Sequence, residues 1–326
     1  MALITFQEIQ KYLPGVRENE PLKDHTWFKI GGPARYFFDA KNEIAMVSAL
    51  KIAEQNKLPL FVLGSGSNIL VSDRGFDGLV INDLNRSVTI AGQTVTAGSG
   101  MLTTDLLLAC AKLGLGGMEF MAGIPGAVGA AVRGNAGAWG HGFGELCREL
   151  RCYRNGAVEI VPASEMKFTY RGSIFSNQPG AILAAVLELQ RRQTSAIDAE
   201  VKEILAKRAA RIPKDPSAGS VFKNIELNEI PVDVPRLLMA LDITQDEYEQ
   251  NTRYGKLPAG FLSERLGLQG MKIGGAQIST RHANIITNSE GTATADDVMQ
   301  LIAFVKTRVR NQLGIQLHEE IQFVGF

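Results

Sequence analysis

Net charge is the first thing this chain lacks. Lysine plus arginine and aspartate plus glutamate number 34 each over 326 residues. That balance leaves no basic footprint for nucleic acid or an anionic membrane surface, so neither is expected as a partner. Cysteine is scarce too. Cys110, Cys147 and Cys152 are the only three, and they have no zinc or disulfide spacing. Their odd count fits idle or buried thiols in a reducing cytoplasm. Four histidines, His25, His141, His282 and His318, show no metal-ligand spacing, so no metal is expected. No apolar run approaches the roughly eighteen residues of a membrane-spanning helix. The start, MALITFQEIQKYLP, lacks the basic residues and apolar block of a signal peptide. No internal repeat or low-complexity tract is present.

What remains is an ordinary soluble composition, 45% hydrophobic, in a chain long enough for two or three domains. The apolar spacing predicts a helix over 43–57 (Ile44, Val47, Leu50, Ile52), then a strand at Leu60–Leu63. Short strands are predicted at 79–81, 88–90 and 94–96, a helix at 102–113, and strand-like alternation over 148–192. Ser195 with Asp198 reads as a capping box opening a helix with Ile197, Val201, Ile204 and Leu205 on one face. Pro213 and Pro216 close it, which puts a domain boundary near 212. A second box, Thr294 with Asp297, opens a helix carrying Val298, Leu301, Ile302, Val305 and Val309, and Gly314 ends it. A last strand is predicted over 315–324. Ile315, Leu317, Ile321 and Phe323 fall on one face, and Gln316, His318, Glu320 and Gln322 on the other.

Glycine is plentiful, 34 residues, and dense in two stretches. The first is Gly64-Ser65-Gly66-Ser67-Asn68, after the Leu60–Leu63 run. The second is GIPGAVGAAVRGNAG, Gly123 to Gly137. Such loops let backbone amides approach an anion closely, and two of them suit a ligand with a pyrophosphate, such as a dinucleotide. The first loop is neither a Rossmann fingerprint, since Ile69 stands where the third glycine belongs, nor a P-loop. Taken alone it is equally compatible with a plain turn. The second is denser in small residues than packing alone requires, which favours ligand contact. Three polar clusters could carry catalysis: Tyr170-Arg171-Gly172-Ser173, Ser217-Ala218-Gly219-Ser220, and Glu319-Glu320. Each taken singly also reads as an exposed loop arginine, a turn serine or solvated carboxylates. No histidine is placed to make Ser220 a triad nucleophile, whereas a proton-donating serine stays open.

Taken in order along most of the chain, these segments resemble the UDP-N-acetylenolpyruvoylglucosamine reductase family of flavin enzymes in peptidoglycan precursor synthesis. The matching runs are Thr26 to Ala34, LGSGSNIL from Leu63, GIPGAVGAAVRGNAGA from Gly123, Phe168 to Phe175, Pro216 to Asn224, Ala259 to Asn288, and Leu317 to Ile321. The resemblance implies an α+β fold: a vanillyl-alcohol-oxidase-like (PCMH-type) FAD-binding domain plus a C-terminal α/β substrate domain. It places FAD-binding subdomains at 1–82 and 83–212 and a substrate-binding domain at 213–314, with residues 315–326 returning to the first subdomain. The short span from Arg171 to Ser220 suits the family's shorter type, which lacks a tyrosine-bearing loop insertion.

The implied activity is NADPH-dependent reduction, through FAD, of UDP-N-acetylglucosamine enolpyruvate to UDP-N-acetylmuramate by a cytoplasmic, monomeric enzyme. Arg171, Ser220 and Glu320 are implied as catalytic. Gly64, Ser65, Gly66, Ser67, Asn68, Gly123, Ile124, Pro125, Gly126, Gly134, Asn135, Ala136 and Gly137 are implied as FAD-binding. Arg211, Lys223 and Asn224 are implied as contacts to the sugar nucleotide. Three departures stand out: Ile225 where the family has proline, an extra segment over 226–256, and His318 where a glutamate is common. A sugar or hydroxy-acid oxidase on the same flavin fold would share the glycine loops but not the serine and glutamate segments. A non-catalytic flavin-binding module would have no reason to keep all three catalytic residues.

Overall fold

The computed structural model describes residues 4–326. The chain divides into two compact units. The first comprises the chain up to Glu20, Pro33–Gly66 and Phe76–Ala210; the second comprises Pro21–Gly32, Ser67–Gly75 and Arg211–Phe326.

The first unit holds two sheets. In one, the strands run in the order Arg17–Pro21, Pro33–Ala40, Phe76–Asp83, Leu60–Leu63. Phe76–Asp83 pairs in parallel with both Pro33–Ala40 and Leu60–Leu63. The helix Glu43–Gln55 forms the crossover, capped by Asn42, whose side chain accepts from the Ala45 amide. Met46, Ala49, Leu50 and Ala53 bury one face of it against Phe38, Leu79 and Ile81. Ile44, counted on the apolar face from sequence, is 83% exposed, because the buried stripe runs through 46, 49, 50 and 53 instead. The other sheet has five strands in the order Ala157–Pro162, Cys147–Arg154, Ala181–Glu188, Thr94–Gly98, Val88–Ala91, all antiparallel. Its core joins Val95, Leu150 and Leu187 to Leu106 and Cys110 of the helix Thr103–Lys112. The helix predicted from Ser195 spans Thr194–Arg211. Ser195 therefore lies inside it rather than at its cap, because the Ile197 amide already reaches the Gln193 carbonyl. Ile197 and Ile204 are buried, while Leu205 is exposed.

The second unit is built on a four-stranded antiparallel sheet in the order Ser217–Ser220, Ile285–Thr287, Ala276–Ile278, Lys272–Ile273. The helix Ala295–Leu313 supplies much of its core through Val298, Leu301, Ile302, Val305 and Val309. Its reciprocal Thr294–Asp297 capping box and left-handed Gly314 (φ 74°) stand where the sequence put them. The extra segment leaves and returns through a short ladder, Ile225 opposite Leu257 and Glu226 opposite Lys256. Ile225 thus occupies a strand position that a proline, with no N–H, suits poorly. Between the ladder strands lie helices Val234–Leu241 and Gln245–Thr252, with Leu237, Leu241 and Ile243 in the core. Arg236 donates to the carbonyls of Asn311 and Gln312, a cation on the last turn of the long helix.

The predicted strand over 315–324 is split. Only Gln322–Val324 is a strand, and it pairs in parallel with Ile69–Val71. Ile315, Leu317 and Ile321 are buried as the alternation predicted, whereas Phe323 is 38% exposed. The ladder breaks because residues 318–320 turn their peptide groups to a different partner.

Candidate functional site

In the first unit Gly64, at the start of the first glycine stretch, lies beside the second stretch. A Cβ on Gly64 would stand 3.3 Å from the Ala127 Cβ and 3.7 Å from that of Ala130, so the hydrogen at 64 is what lets the loops close up. Residues 124–129 are stitched to 99–103. The Gly129 amide donates to the Ser99 carbonyl (2.8 Å), Val128 to Met101 (2.9 Å), and Thr103 to Gly126 (3.0 Å), and the Thr103 hydroxyl donates to the Ile124 carbonyl (3.2 Å). Within this rigid frame a Cβ on Gly126 would meet no heavy atom within 4 Å, whereas one on Gly137 would collide with the His141 carbonyl. Gly126 borders open space, and Gly137 is required by the 137–142 hairpin. Asn135 is engaged with protein: its Nδ2 donates to the Thr169 carbonyl (2.9 Å) and its Oδ1 accepts from the Gly144 amide (2.9 Å).

Arg171 sits at the tip of a tight turn closed by paired hydrogen bonds between Thr169 and Gly172. Its φ of 55° is in the left-handed region, a strained choice for a non-glycine residue. Its Nη1 donates to the Gly137 carbonyl (2.9 Å), which ties the turn to the second glycine stretch. Two further arginines, not singled out from sequence, share this neighbourhood. Arg208 lies over the Trp139 ring at 5.2 Å, and a Cβ on Gly123 would press on its Cδ. Its Nε is buried with no hydrogen-bond partner among the described residues. Burial, and then the charge of Arg171, hold its pKa below the usual guanidinium value. Burial does the same to Arg133, whose carbonyl accepts from the Ser173 and Ser176 hydroxyls. Both side chains are half-buried, and a partly desolvated cation without a counter-charge is costly. An anionic ligand would supply that charge.

The second unit brings Ser220 and Glu320 together. On the serine strand Ser217 opposes Thr287 and Ser220 opposes Ile285, three steps against two. Gly219 takes up the bulge at φ 73°, and such bulges re-aim the neighbouring side chain. Beyond the bulge the Val221 carbonyl accepts from the Glu320 amide (2.7 Å), and the Lys223 amide donates to the His318 carbonyl (2.9 Å). His318 therefore serves this pairing through its main chain, which its side-chain identity does not affect. Asn68 clamps the same strand: its Nδ2 donates to the Glu320 carbonyl (3.2 Å), and its own carbonyl accepts from the Gln322 amide (3.0 Å). The Asn224 Oδ1 accepts from the Ala259 amide (3.3 Å). Arg211 is exposed; burial, and after it the charge of Arg211, lower the pKa of His282. Glu319 pairs with Lys306 at 2.6 Å.

Comparison with known proteins places these features in context. The sequence model described as "UDP-N-acetylenolpyruvoylglucosamine reductase, C-terminal domain" matches residues 212–324. The model described as "FAD binding domain" matches residues 34–159, a range that contains both glycine stretches. The UDP-N-acetylenolpyruvoylglucosamine reductase of Solibacter usitatus is 38% identical over 95% of this chain and 97% of its own. That of Bacillus licheniformis is 37% identical over 98% and 97%. The crystal structure of the Thermus caldophilus enzyme superposes with a TM-score of 0.75 at 30% identity, over 95% of this chain and 99% of that one. The residues present fit FAD on structural grounds. Gly64 abutting the second glycine stretch, and Arg133 and Arg208 without carboxylate partners among the described residues, suit its pyrophosphate.

Proposed function

The chain belongs to the UDP-N-acetylenolpyruvoylglucosamine reductase family, and we propose that Arg171, Ser220 and Glu320 carry its chemistry. The reaction is the NADPH-dependent reduction of UDP-N-acetylglucosamine enolpyruvate to UDP-N-acetylmuramate, with FAD as cofactor. FAD, when bound, supplies the hydride that reaches the methylene carbon of the enolpyruvyl group. The chain's own residues handle the charge and the proton. Arg171 neutralises the negative charge that develops on the enolpyruvyl carboxylate, since preorganised charge in a water-poor site is the largest lever on such a step. The Ser220 hydroxyl donates a proton to the adjacent carbon, giving the lactyl ether. A hydroxyl is a weak acid, so this works only toward a strongly basic carbon centre. Glu320, hydrogen-bonded through its amide to the residue after Ser220, orients the developing enol or shares its proton.

Residues 64–68 and 123–126 hold the flavin pyrophosphate, 134–137 complete the cofactor site, and Arg208 and Arg133 are additional counter-charges. Arg211, Lys223 and Asn224 contact the nucleotide diphosphate. In this reading residues 1–82 and 83–212 serve the flavin and 213–314 the sugar nucleotide. The enzyme works as a monomer in the cytoplasm, where free thiols such as Cys110, Cys147 and Cys152 persist. No helix among the described residues is long and apolar enough to cross a membrane.

The observation that carries this reading is the backbone pairing of the serine segment with the glutamate segment, Glu320 amide to Val221 carbonyl at 2.7 Å. An oxidase on the same flavin fold has no use for that pairing. The test is an anaerobic absorption series on the purified protein. The flavin band is expected to bleach with NADPH and to return with the enolpyruvyl sugar nucleotide. Bleaching without recolouring by that substrate sinks the proposal.

A further inference from the structure

Asn284, outside the proposed machinery, holds the chain that follows Ser220 through three hydrogen bonds. The last ladder pair of the serine strand is Ser220 with Ile285. One residue on, the partner strand has ended and the chain turns, with the Ile285 amide bonded back to the His282 carbonyl (3.0 Å). Val221 and Phe222 would lose their strand neighbour there, yet both are buried, each 2% exposed. Asn284 fills the place. Its main-chain carbonyl accepts from the Val221 amide (2.8 Å). Its side-chain Oδ1 accepts from the Phe222 amide (3.0 Å), and its Nδ2 donates to the Phe222 carbonyl (2.8 Å). One asparagine thus satisfies three polar groups of two consecutive residues, its carboxamide imitating a further peptide of the strand. It is 4% exposed, so water is not at hand to replace it.

We propose that Asn284 is a positioning residue for Ser220, fixing the peptides that follow it so that the hydroxyl keeps one direction. The inference rests on the proton-donor reading of Ser220. Upstream of the serine, Gly219 at φ 73° is the soft point of the chain, because glycine moves between conformations at little cost. The rigidity must come from downstream. There, residues 221–223 are held on one edge by Glu320 and His318 and on the other by Asn284. Asn284 is itself held: its amide donates to the His282 Nδ1 (3.2 Å), which makes His282 a neutral acceptor with its proton on Nε2. Burial, and after it the charge of Arg211, favour that neutral form. Asp in place of Asn keeps the shape and the acceptor but loses the Nδ2 donor, and turns a second lone pair toward the Phe222 carbonyl.

The experiment uses the FAD-loaded Asn284→Asp, Ser220→Ala and double variants. Flavin reduction by NADPH and flavin reoxidation by the enolpyruvyl sugar nucleotide are followed separately by stopped flow, in H2O and D2O. For N284D, reduction is expected at the wild-type rate. Reoxidation is expected to slow by about 10-fold to 100-fold, the scale of a reacting group misplaced by an ångström, with a larger solvent isotope effect as proton delivery becomes limiting. The double variant is expected to be no slower than S220A, because Asn284 acts through the serine. The proposal is overturned if N284D reoxidises normally, if both half-reactions slow by the same factor, or if N284D slows S220A further by the factor it costs the wild type. Should N284D fail to retain FAD, Asn284→Gln, which keeps both polar groups one methylene too far out, is measured against the same outcomes. If S220A itself reoxidises at the wild-type rate, the serine reading fails, and it does so independently of Asn284.

Discussion

The glycine-rich region of the first unit and the serine–glutamate region of the second treat polar groups in opposite ways. Around Gly123–Gly137 the backbone is pinned by its own hydrogen bonds, yet the half-buried cations Arg133 and Arg208 have no carboxylate partner among the described residues. Around Ser220 and Glu320 the polar groups of the strands are answered: Val221 and Phe222 by Asn284, Glu320 by Val221 and Asn68, Glu319 by Lys306. On the proposed roles, the difference separates a surface shaped to take charge from outside from a scaffold shaped to hold two reacting groups still.

The sharpest way to break that contrast is Ser220→Ala. Flavin reduction by NADPH is expected to stay at the wild-type rate while reoxidation by the enolpyruvyl substrate falls by about 10²-fold to 10⁴-fold, the usual worth of a positioned proton donor. Equal loss in both half-reactions would move Ser220 from chemistry to folding. Next comes Arg208→Met, which removes charge and keeps bulk. FAD retention measured by titration is expected to weaken by about tenfold or more, consistent with a lost charge-assisted contact. The apoprotein is expected to melt close to wild type, since Met gives up only the contact with the Trp139 ring and no ion pair. A lower melting temperature with unchanged FAD affinity would show that Arg208 is structural.

Gly126→Ala tests the open side of the loop. The apoprotein is expected to fold normally, because the new methyl meets nothing, while FAD affinity drops. Unchanged affinity would mean that residue 126 does not face the cofactor. Asp83, a buried carboxyl of the first unit, gives a pH signature. Burial pushes its carboxyl up to about 6, although the Asn85 amide donates to it (3.0 Å). The folded chain therefore holds a proton there that the unfolded chain releases near pH 4. This group's contribution to stability falls as pH rises from about 4 to about 6 and is level above that. Asp83→Asn is expected to remove the slope, read as melting temperature against pH. The smallest effect is expected from Lys306→Met. The Lys306–Glu319 pair is only partly buried, so its loss should cost about 1 kcal/mol or less in a denaturant melt and leave both half-reactions intact. A large kinetic effect would mean that Glu319 steers Glu320.

Much of the local architecture was legible before any coordinates. The Thr294–Asp297 box and Gly314 bound the last long helix as expected, because capping depends on residues within one turn of each other. Both glycine stretches, and the Ser220 and Glu320 segments, announced themselves by composition and by resemblance. The single strand expected over 315–324 was misread for a physical reason. Its alternation of buried Ile315, Leu317 and Ile321 is real, but periodicity reports which side is buried and not which neighbour takes the hydrogen bonds. Here residues 318–320 pair with 221–223 and residues 322–324 with 69–71. Ser195 failed as a cap because Thr194 already lies within the helix, and a one-residue shift in helix start is below what a capping pattern resolves.

The sequence by itself determined the elements with short-range signals: helix caps, the amphipathic stripes, the anion-suited loops, and the identity of the groups available for proton and charge transfer. Only the tertiary structure decided which of those groups are left electrically unpaired and which are locked. Nothing in the chain near Arg208 says that Trp139 will cover it and no carboxylate will reach it. Nothing near Asn284 says that its carboxamide will complete a strand carrying Ser220. Both outcomes depend on pairings between residues far apart in the chain, where desolvation sets the worth of each polar contact, and desolvation exists only once the chain has folded.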